Sequence, residues 1–382
     1  MNTPLAIFTP HIGAFSETFI RRHLQDLLPG GTVVITGTTG KPFGGNWMVD
    51  CPMLVVDQIQ RDGFVPLAFK EAARRMGWRP PEYIVLIKKF LKQHNVQVIL
   101  AEYLDWALEW LPIAQELGIR FFGHAHGYDI SMQLLDPKWQ TEYLRYNHAN
   151  GLFTINQVSR ERLINLGVDA AKIHLIPYGV NVPAEPLVRH EQEVIRCVAV
   201  GMTAQKAPIL MLDAFRRAAE LVPRLRLDFV GKGELLAAVQ QFVRAFNLES
   251  QVTLHGGQLN EVVQQLMRQA DIFLQHSMVD PDGAEEGLPV AILEAMANAL
   301  PVVSTRHAGI PEAVLEEETG FLVDEGDSLR MSEQIVLLAK DAKLRREMGR
   351  AGWQRAQQLF TWERQKQSLL QVLGLEDNNT NL

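Results

Sequence analysis

Glu286 and Glu294 are the residues of this 382-residue chain best placed, by type and spacing, to do chemistry. Both lie in DGAEEGLPVAILEAMANALPVVS, where apolar neighbours surround Glu294. A carboxylate buried there costs on the order of several kcal/mol unless a polar group meets it. On the predicted helix VAILEAMANA its i±3 and i±4 neighbours are Ala291, Val290, Ala297 and Asn298, so no Lys or Arg pairs with it along the helix. The expected partner is therefore a bound substrate. Gly287 and Pro289 mark the turn into that helix, with Pro289 near the first helical position, where a missing N–H removes nothing. Amides around Gly287, Leu288 and Val290, with the positive end of the helix dipole, make a seat for a diphosphate. At about 1.5 Å rise per residue the two carboxylates bracket a group on the order of 10 Å long. Sugar hydroxyls, diphosphate and ribose hydroxyls have that layout. The competing reading makes Glu286 a solvated loop acid and Glu294 a helix-surface acid.

Other candidates carry weaker signals. Lys206, in GMTAQKAP, is either a solvated loop lysine or a phosphate ligand. The nearby GKGE (231–234) lacks the G-x-x-x-x-G-K-[ST] spacing of a phosphate-binding loop. His124 and His126 form H-x-H, but no third metal ligand is indicated by spacing, so zinc is not expected. His124 reads as structural, and His126 as a site residue able to stabilise developing charge. Asp280 and Asp282 form a weak D-x-D in a turn-like run. Cys51 and Cys197 have neither disulfide-framework nor metal-ligand spacing and read as buried thiols.

The elements that must position these residues alternate. Short β-branched runs at 5–9, 32–36, 53–56, 96–101, 119–123, 151–155 and 173–177 are separated by helical patterns. The rhythm repeats at 195–201, 226–231, 252–256, 272–277, 301–305 and 321–323. This predicts an α/β chain of repeated βαβ units, two Rossmann-like doubly wound parallel sheets facing a cleft. The segment NVPAEPLVRHEQE (181–193) reads as the linker. The domains are expected at 1–182 and 190–361, with a helix at about 362–376 packing back on the first. Ligands collect beyond the carboxyl ends of parallel strands. The loops to examine are thus 11–17, 123–129, 201–208, 255–259 and 280–289, which fall in both halves.

Bulk properties exclude several functions. The length suggests two domains, and 47% apolar content is that of a globular protein. A net charge of −7 argues against general nucleic-acid binding. Residues 1–182 hold 17 Lys+Arg against 16 Asp+Glu, about +1; the remainder holds 20 against 28, about −8. No export signal and no 18-residue apolar run is visible, so a cytoplasmic protein is expected. The tail EDNNTNL reads as frayed.

These residues resemble the retaining glycosyltransferases of family 4, with the two-Rossmann GT-B fold. The resemblance runs through nearly the whole chain and is strongest over about 195–325, where EEGLPVAILEAMANALPVVSTRHAGIPEAV followed by TGFLV is similar to the family's E-x(7)-E segment. IPYGVN (176–181) is similar to its interdomain signature, and SETFI (16–20), after Gly13, to the N-terminal loop of members that build bacterial exopolysaccharides. The resemblance implies a hexosyltransferase using a nucleoside-diphosphate sugar, UDP-linked, and a carbohydrate or polyprenyl-linked acceptor. Glu294 would hold the ribose hydroxyls and Glu286 the donor sugar near its 3-hydroxyl. Amides of Gly287, Leu288 and Pro289's neighbourhood would receive phosphate or sugar oxygens, and Lys206 would neutralise the leaving diphosphate. Gly257 and Gln258 would face the base. His126 would sit at the reacting centre with Glu286, and Gly13 would let the first loop pass close to both substrates. No metal or other cofactor is expected. The chain departs from the family at Met202, where an Arg usually follows the loop glycine.

PEYIVLIKKFLKQ (81–93) places Ile84, Ile87 and Leu91 at helical spacing with Lys88, Lys89 and Lys92 nearby. Packing on the first sheet is the main reading; a peripheral helix on the inner membrane face is the alternative. An epimerase or phosphorolytic enzyme on the same fold, or a two-lobed ligand-binding protein, are the competing functions.

Overall fold

The computed structural model describes residues 4–14, 17–39, 49–56 and 81–376. Phe15 and Ser16 of the first loop, and the tail from 377, lie outside the described residues. Among the described residues, thirteen strands form two all-parallel sheets, of seven and six strands. The first sheet has the order β3 (Met53–Val55), β2 (Thr32–Thr39), β1 (Leu5–Ile12), β4 (Val98–Glu102), β5 (Arg120–His124), β6 (Gly151–Thr154), β7 (Ile173–Leu175). The second has β10 (Val252–Gly256), β9 (Leu225–Val230), β8 (Ile195–Val200), β11 (Ile272–Leu274), β12 (Val302–Thr305), β13 (Gly320–Val323). Every predicted strand run forms. Parallel strands covered on both faces must be continuously apolar, and Leu5, Ala6, Ile7 and Phe8 are all fully buried. The run at 272–277 stops being strand at Leu274: Gln275 N–H still donates to Val303 O (3.1 Å), but Ser277 N–H turns to the side chain of Thr305, Oγ1 (3.1 Å), in place of a backbone carbonyl.

In each sheet the order reverses after the first strand, between β1 and β4 and between β8 and β11. Those switch points open crevices at the carboxyl ends of the strands, where the loops singled out above gather. The chain crosses between the lobes twice. Val180 and Thr361 form a parallel bridge, with Val180 N–H donating to Phe360 O (2.8 Å) and Trp362 N–H to Val180 O (3.0 Å). The last helix, Trp362–Leu373, then buries Trp362, Leu369 and Leu373 among Leu5, Ile7 and Leu100 of the first lobe. Helix Pro81–Gln93 buries Ile87 and Leu91 against the first sheet, exposes Val85 and Leu86, and pairs Lys88 with Glu116. No helix among the described residues is long and apolar enough to cross a membrane.

Candidate active site

Pro289 is the cap position and the helix runs Val290–Ala297, ending two residues before the pattern suggested, because Asn298 folds back to donate from Nδ2 to Glu294 O (2.9 Å). Glu294 is partly buried, and its side chain has a protein partner that no helical spacing could reveal. Asn260, thirty-four positions upstream, donates from Nδ2 to Oε1 (2.9 Å). Burial pushes the Glu294 carboxyl up, opposed by that hydrogen bond and by the charge of Arg22 from the first lobe. Arg22 also lies over the Trp362 ring at 5.4 Å.

Lys206 and Glu286 meet. Nζ is 3.0 Å from Glu286 Oε1, joining the loop after β8 to the loop before the Val290 helix. Three local features enforce this. Met278 N–H donates to Gln205 O (3.0 Å), docking one loop on the other. Gly201, at φ +103°, lets the Lys206 stem lie across it, and a Cβ there would come within 2.2 Å of Lys206 Cδ. The Glu286 amide donates to His307 Nε2 (3.1 Å), whose Nδ1 faces Glu325 Oε1 (2.7 Å). A ring nitrogen that accepts an N–H carries no proton, so the His307 proton sits on Nδ1 and the Glu325 carboxylate fixes that tautomer.

Gly287 lies at the contact between lobes: a Cβ there would stand 2.0 Å from His126 O. Its carbonyl accepts from Asn156 Nδ2 (2.7 Å) and Gly309 N (3.0 Å). Arg162 pairs with Glu285 (2.9 Å), and Glu312 accepts from Gln157 N. Leu288 has its side chain in the core, so only its backbone can serve a ligand. Gln258 folds its amide onto His255 O (2.6 Å), and the Lys232 stem passes over Gly257. Gly13 has φ +98°, a conformation glycine adopts without strain. Asp280 Oδ1 accepts from the amides of Asp282 and Ala284 (2.9 and 2.8 Å), so the D-x-D organises a turn. Met202 is fully buried in the second core, leaving Lys206 as the cation that this loop brings to Glu286.

Both ring nitrogens of His126, which the sequence reading offered to a substrate, are engaged within the protein. Nε2 faces Glu102 Oε2 (2.9 Å) and Nδ1 meets the Tyr178 hydroxyl. A carboxylate only accepts, so Nε2 bears the proton and Tyr178 donates to Nδ1. Burial, with His124 adding to it and Glu102 opposing, depresses this imidazole to about 4 and keeps it neutral. Glu102 itself is fully buried. Burial would raise its carboxyl, yet His23 and His124, with the imidazole hydrogen bonds, hold it well below the usual range.

Sequence reading missed Glu102, His23, Tyr178 and Glu17, all brought to the first-lobe strand ends by the fold. His23, Glu102 and His124 place three ligand-type atoms within 4.8 Å of one another. The surroundings favour hydrogen bonding there. Gln365 Oε1 accepts from Gly179 N (2.8 Å), so its amide nitrogen faces His23 Nε2 (3.4 Å) and leaves the His23 proton on Nδ1, 2.7 Å from Glu102 Oε1. A metal would need that nitrogen bare. Two surface cavities beside 186–191, lined by Arg189 and Asp271, lie at the amino ends of strands, opposite the loops described here.

Two family models match in succession: "Glycosyltransferase Family 4" over residues 32–184 and "Glycosyl transferases group 1" over 183–355. The amylovoran biosynthesis glycosyltransferase AmsK of Erwinia amylovora is 31% identical over 219 residues, covering 56% of this chain and 54% of that protein. The putative colanic acid biosynthesis glycosyltransferase WcaL of Escherichia coli K12 is 29% identical over 226 residues, again covering 56% and 54%. The chain thus spans about half the length of these curated relatives. Among solved structures, Anabaena Alr3699/HepE in complex with UDP superposes with a TM-score of 0.73 at 16% identity, over 98% of this chain and 100% of that one.

Proposed function

The chain belongs to the glycosyltransferases of GT-B fold, and from that premise we propose that it transfers a hexose, with retention, from a UDP-linked donor to a hydroxyl of a carbohydrate or lipid-linked acceptor in exopolysaccharide or cell-surface glycan synthesis. The observation that carries the reading is the Lys206–Glu286 pair, with Glu286 just before the helix Val290–Ala297 and Glu294 just over one turn inside it. The diphosphate draws Lys206 to itself, releasing Glu286 to the sugar hydroxyls, while Glu294 and Asn260 hold the ribose. The UDP complex of HepE, the AmsK and WcaL names, and the family resemblance support this layout.

In the transfer the acceptor oxygen bonds to the anomeric carbon as the carbon–oxygen bond to diphosphate breaks, and the acceptor proton passes to the departing diphosphate oxygen. The leaving group and acceptor share one face, which preserves the anomeric configuration. The His126 ring, kept neutral by burial and oriented by its hydrogen bonds to Glu102 and Tyr178, positions the loop that backs Gly287. Turnover is expected without divalent metal, since Lys206 and amides meet the diphosphate charge. Incubating the protein with UDP-hexoses and an oligosaccharide acceptor panel tests the reading. A product with the donor's anomeric configuration, formed equally in chelator, is expected; an inverted product or strict metal dependence overturns it.

A further inference from the structure

We propose that Glu17 is the acceptor-recognition carboxylate of the first lobe, its Oε2 receiving a hydroxyl of a carbohydrate acceptor beside the rings of Tyr103, His126 and Phe19. The proposal rests on the glycosyltransferase reading above. Glu17 follows the loop after β1, at the carboxyl edge of the first sheet, in the lobe opposite Lys206 and Glu286.

One oxygen of Glu17 is fully used. Oε1 accepts from the Tyr103 hydroxyl (2.7 Å) and from the N–H at His11 Nε2 (2.8 Å), since a carboxylate has no proton to donate. The other oxygen, Oε2, is buried with no hydrogen-bond partner among the described residues, in a residue only 8% exposed. A buried carboxylate oxygen without a donor is costly, and such exceptions call for an occupant. The group it lacks is a hydrogen-bond donor, which a hydroxyl supplies.

The neighbouring carboxylates do not share its condition. Asp105 accepts from Tyr128 (3.0 Å) and Gln133 (2.6 Å), and Asp129 from the amides of Leu104, His126 and Gly127. With those acids already met, the surroundings offer one carboxylate oxygen, which suits a neutral hydroxyl better than a cation needing several acids. The rest of the wall is aromatic: the Tyr103 ring lies 4.5 Å from that of His126 and 5.4 Å from that of Tyr128, and Phe19 lies 4.7 Å from His126. Aromatic faces with a single acceptor match a sugar ring, apolar on one side and hydroxylated at its edge. A site that desolvates an acceptor for one hydroxyl also rejects analogues lacking it.

The test uses the full chain saturated with UDP and titrated with methyl hexopyranosides (glucoside, galactoside and mannoside) by saturation-transfer NMR. Wild type is expected to bind at least one. Glu17→Gln keeps a carbonyl for Tyr103 and His11 but places an NH2 group at the Oε2 position, so that affinity should fall about 10- to 100-fold, with UDP affinity held within about twofold. Unchanged glycoside affinity in Glu17→Gln overturns the proposal, as does a UDP-loaded wild type that binds none of the three. Failure of the underlying reading has a separate signature: no UDP binding, or full hexosyl transfer by Glu286→Gln.

Discussion

Lys206 Nζ and Glu286 Oε1 stand 3.0 Å apart, so the ammonium that the loop after β8 offers to the crevice is already neutralised by the carboxylate proposed above to hold the sugar. Both side chains are largely shielded, at 18% and 14% exposure, which strengthens the pair and also its exchange for a diphosphate. On the proposed function, donor binding is a change of partner. Lys206→Ala should weaken UDP binding about 10- to 100-fold, the loss of one charge-assisted hydrogen bond. Glu286→Gln should bind UDP at least as well as wild type while turnover falls by about two orders of magnitude or more. Calorimetric titration with UDP and initial rates with a UDP-hexose check both; wild-type UDP affinity in Lys206→Ala would sink the exchange.

On the proposed function, Glu294 trades stability for binding. Its folded carboxyl is raised above the ordinary 4.5 by burial, so any stability it lends is present below that value and is lost as pH rises through the higher folded value. Glu294→Gln, which never ionises and keeps a carbonyl for Asn260, should therefore melt above wild type, by a margin that opens as pH rises from about 4.5. The same variant should lose about tenfold in UDP affinity. Melting curves from pH 4 to 8 with and without UDP separate the two effects.

Asn156 has two tasks that substitution can divide. Oδ1 caps the helix Gln157–Leu166 by accepting from Ser159 N (2.7 Å), and Nδ2 donates across the lobes to Gly287 O (2.7 Å). Asn156→Asp keeps the cap, since Asp is as good an N-cap, but sets an oxygen against a carbonyl. The cost expected is about 1–3 kcal/mol at the lobe contact. Hydrogen exchange should speed at the Gly309 amide, which shares that carbonyl, and stay unchanged within 159–166.

Acid should weaken the second lobe through His276. Burial depresses this imidazole to about 4, and its Nε2 accepts from Gly326 N (2.9 Å). Between about 4 and 6.5 the unfolded chain binds a proton that the folded one refuses, so stability falls as pH falls through that window, by at most about 3 kcal/mol. His276→Gln, which retains an acceptor, should flatten the slope in urea unfolding measured at pH 4.5 and 7.

The strands, the two-sheet architecture and the crevice edges were legible because buried parallel strands must be continuously apolar, a pattern that survives in one dimension. Lys206 and the two glutamates were legible as types at loop and helix positions, although their pairing was not. Asn260 reaches Glu294 and Glu102 reaches His126 only through the sheet order, which no local spacing encodes. His126 shows the limit most clearly. Its place after β5 was correct, yet whether its ring opens to a ligand depends on Tyr178 and Glu102, fifty-two positions downstream and twenty-four upstream.

The paired crossings at Val180 and Thr361 give the molecule a hinge with two leaves laid side by side. A single tether would let the lobes twist and slide; two hydrogen-bonded tethers leave one easy swing, about the line they share. Glu286 and Glu17 would then travel on a fixed arc relative to each other, so that the two lobes would come together in the same register each time.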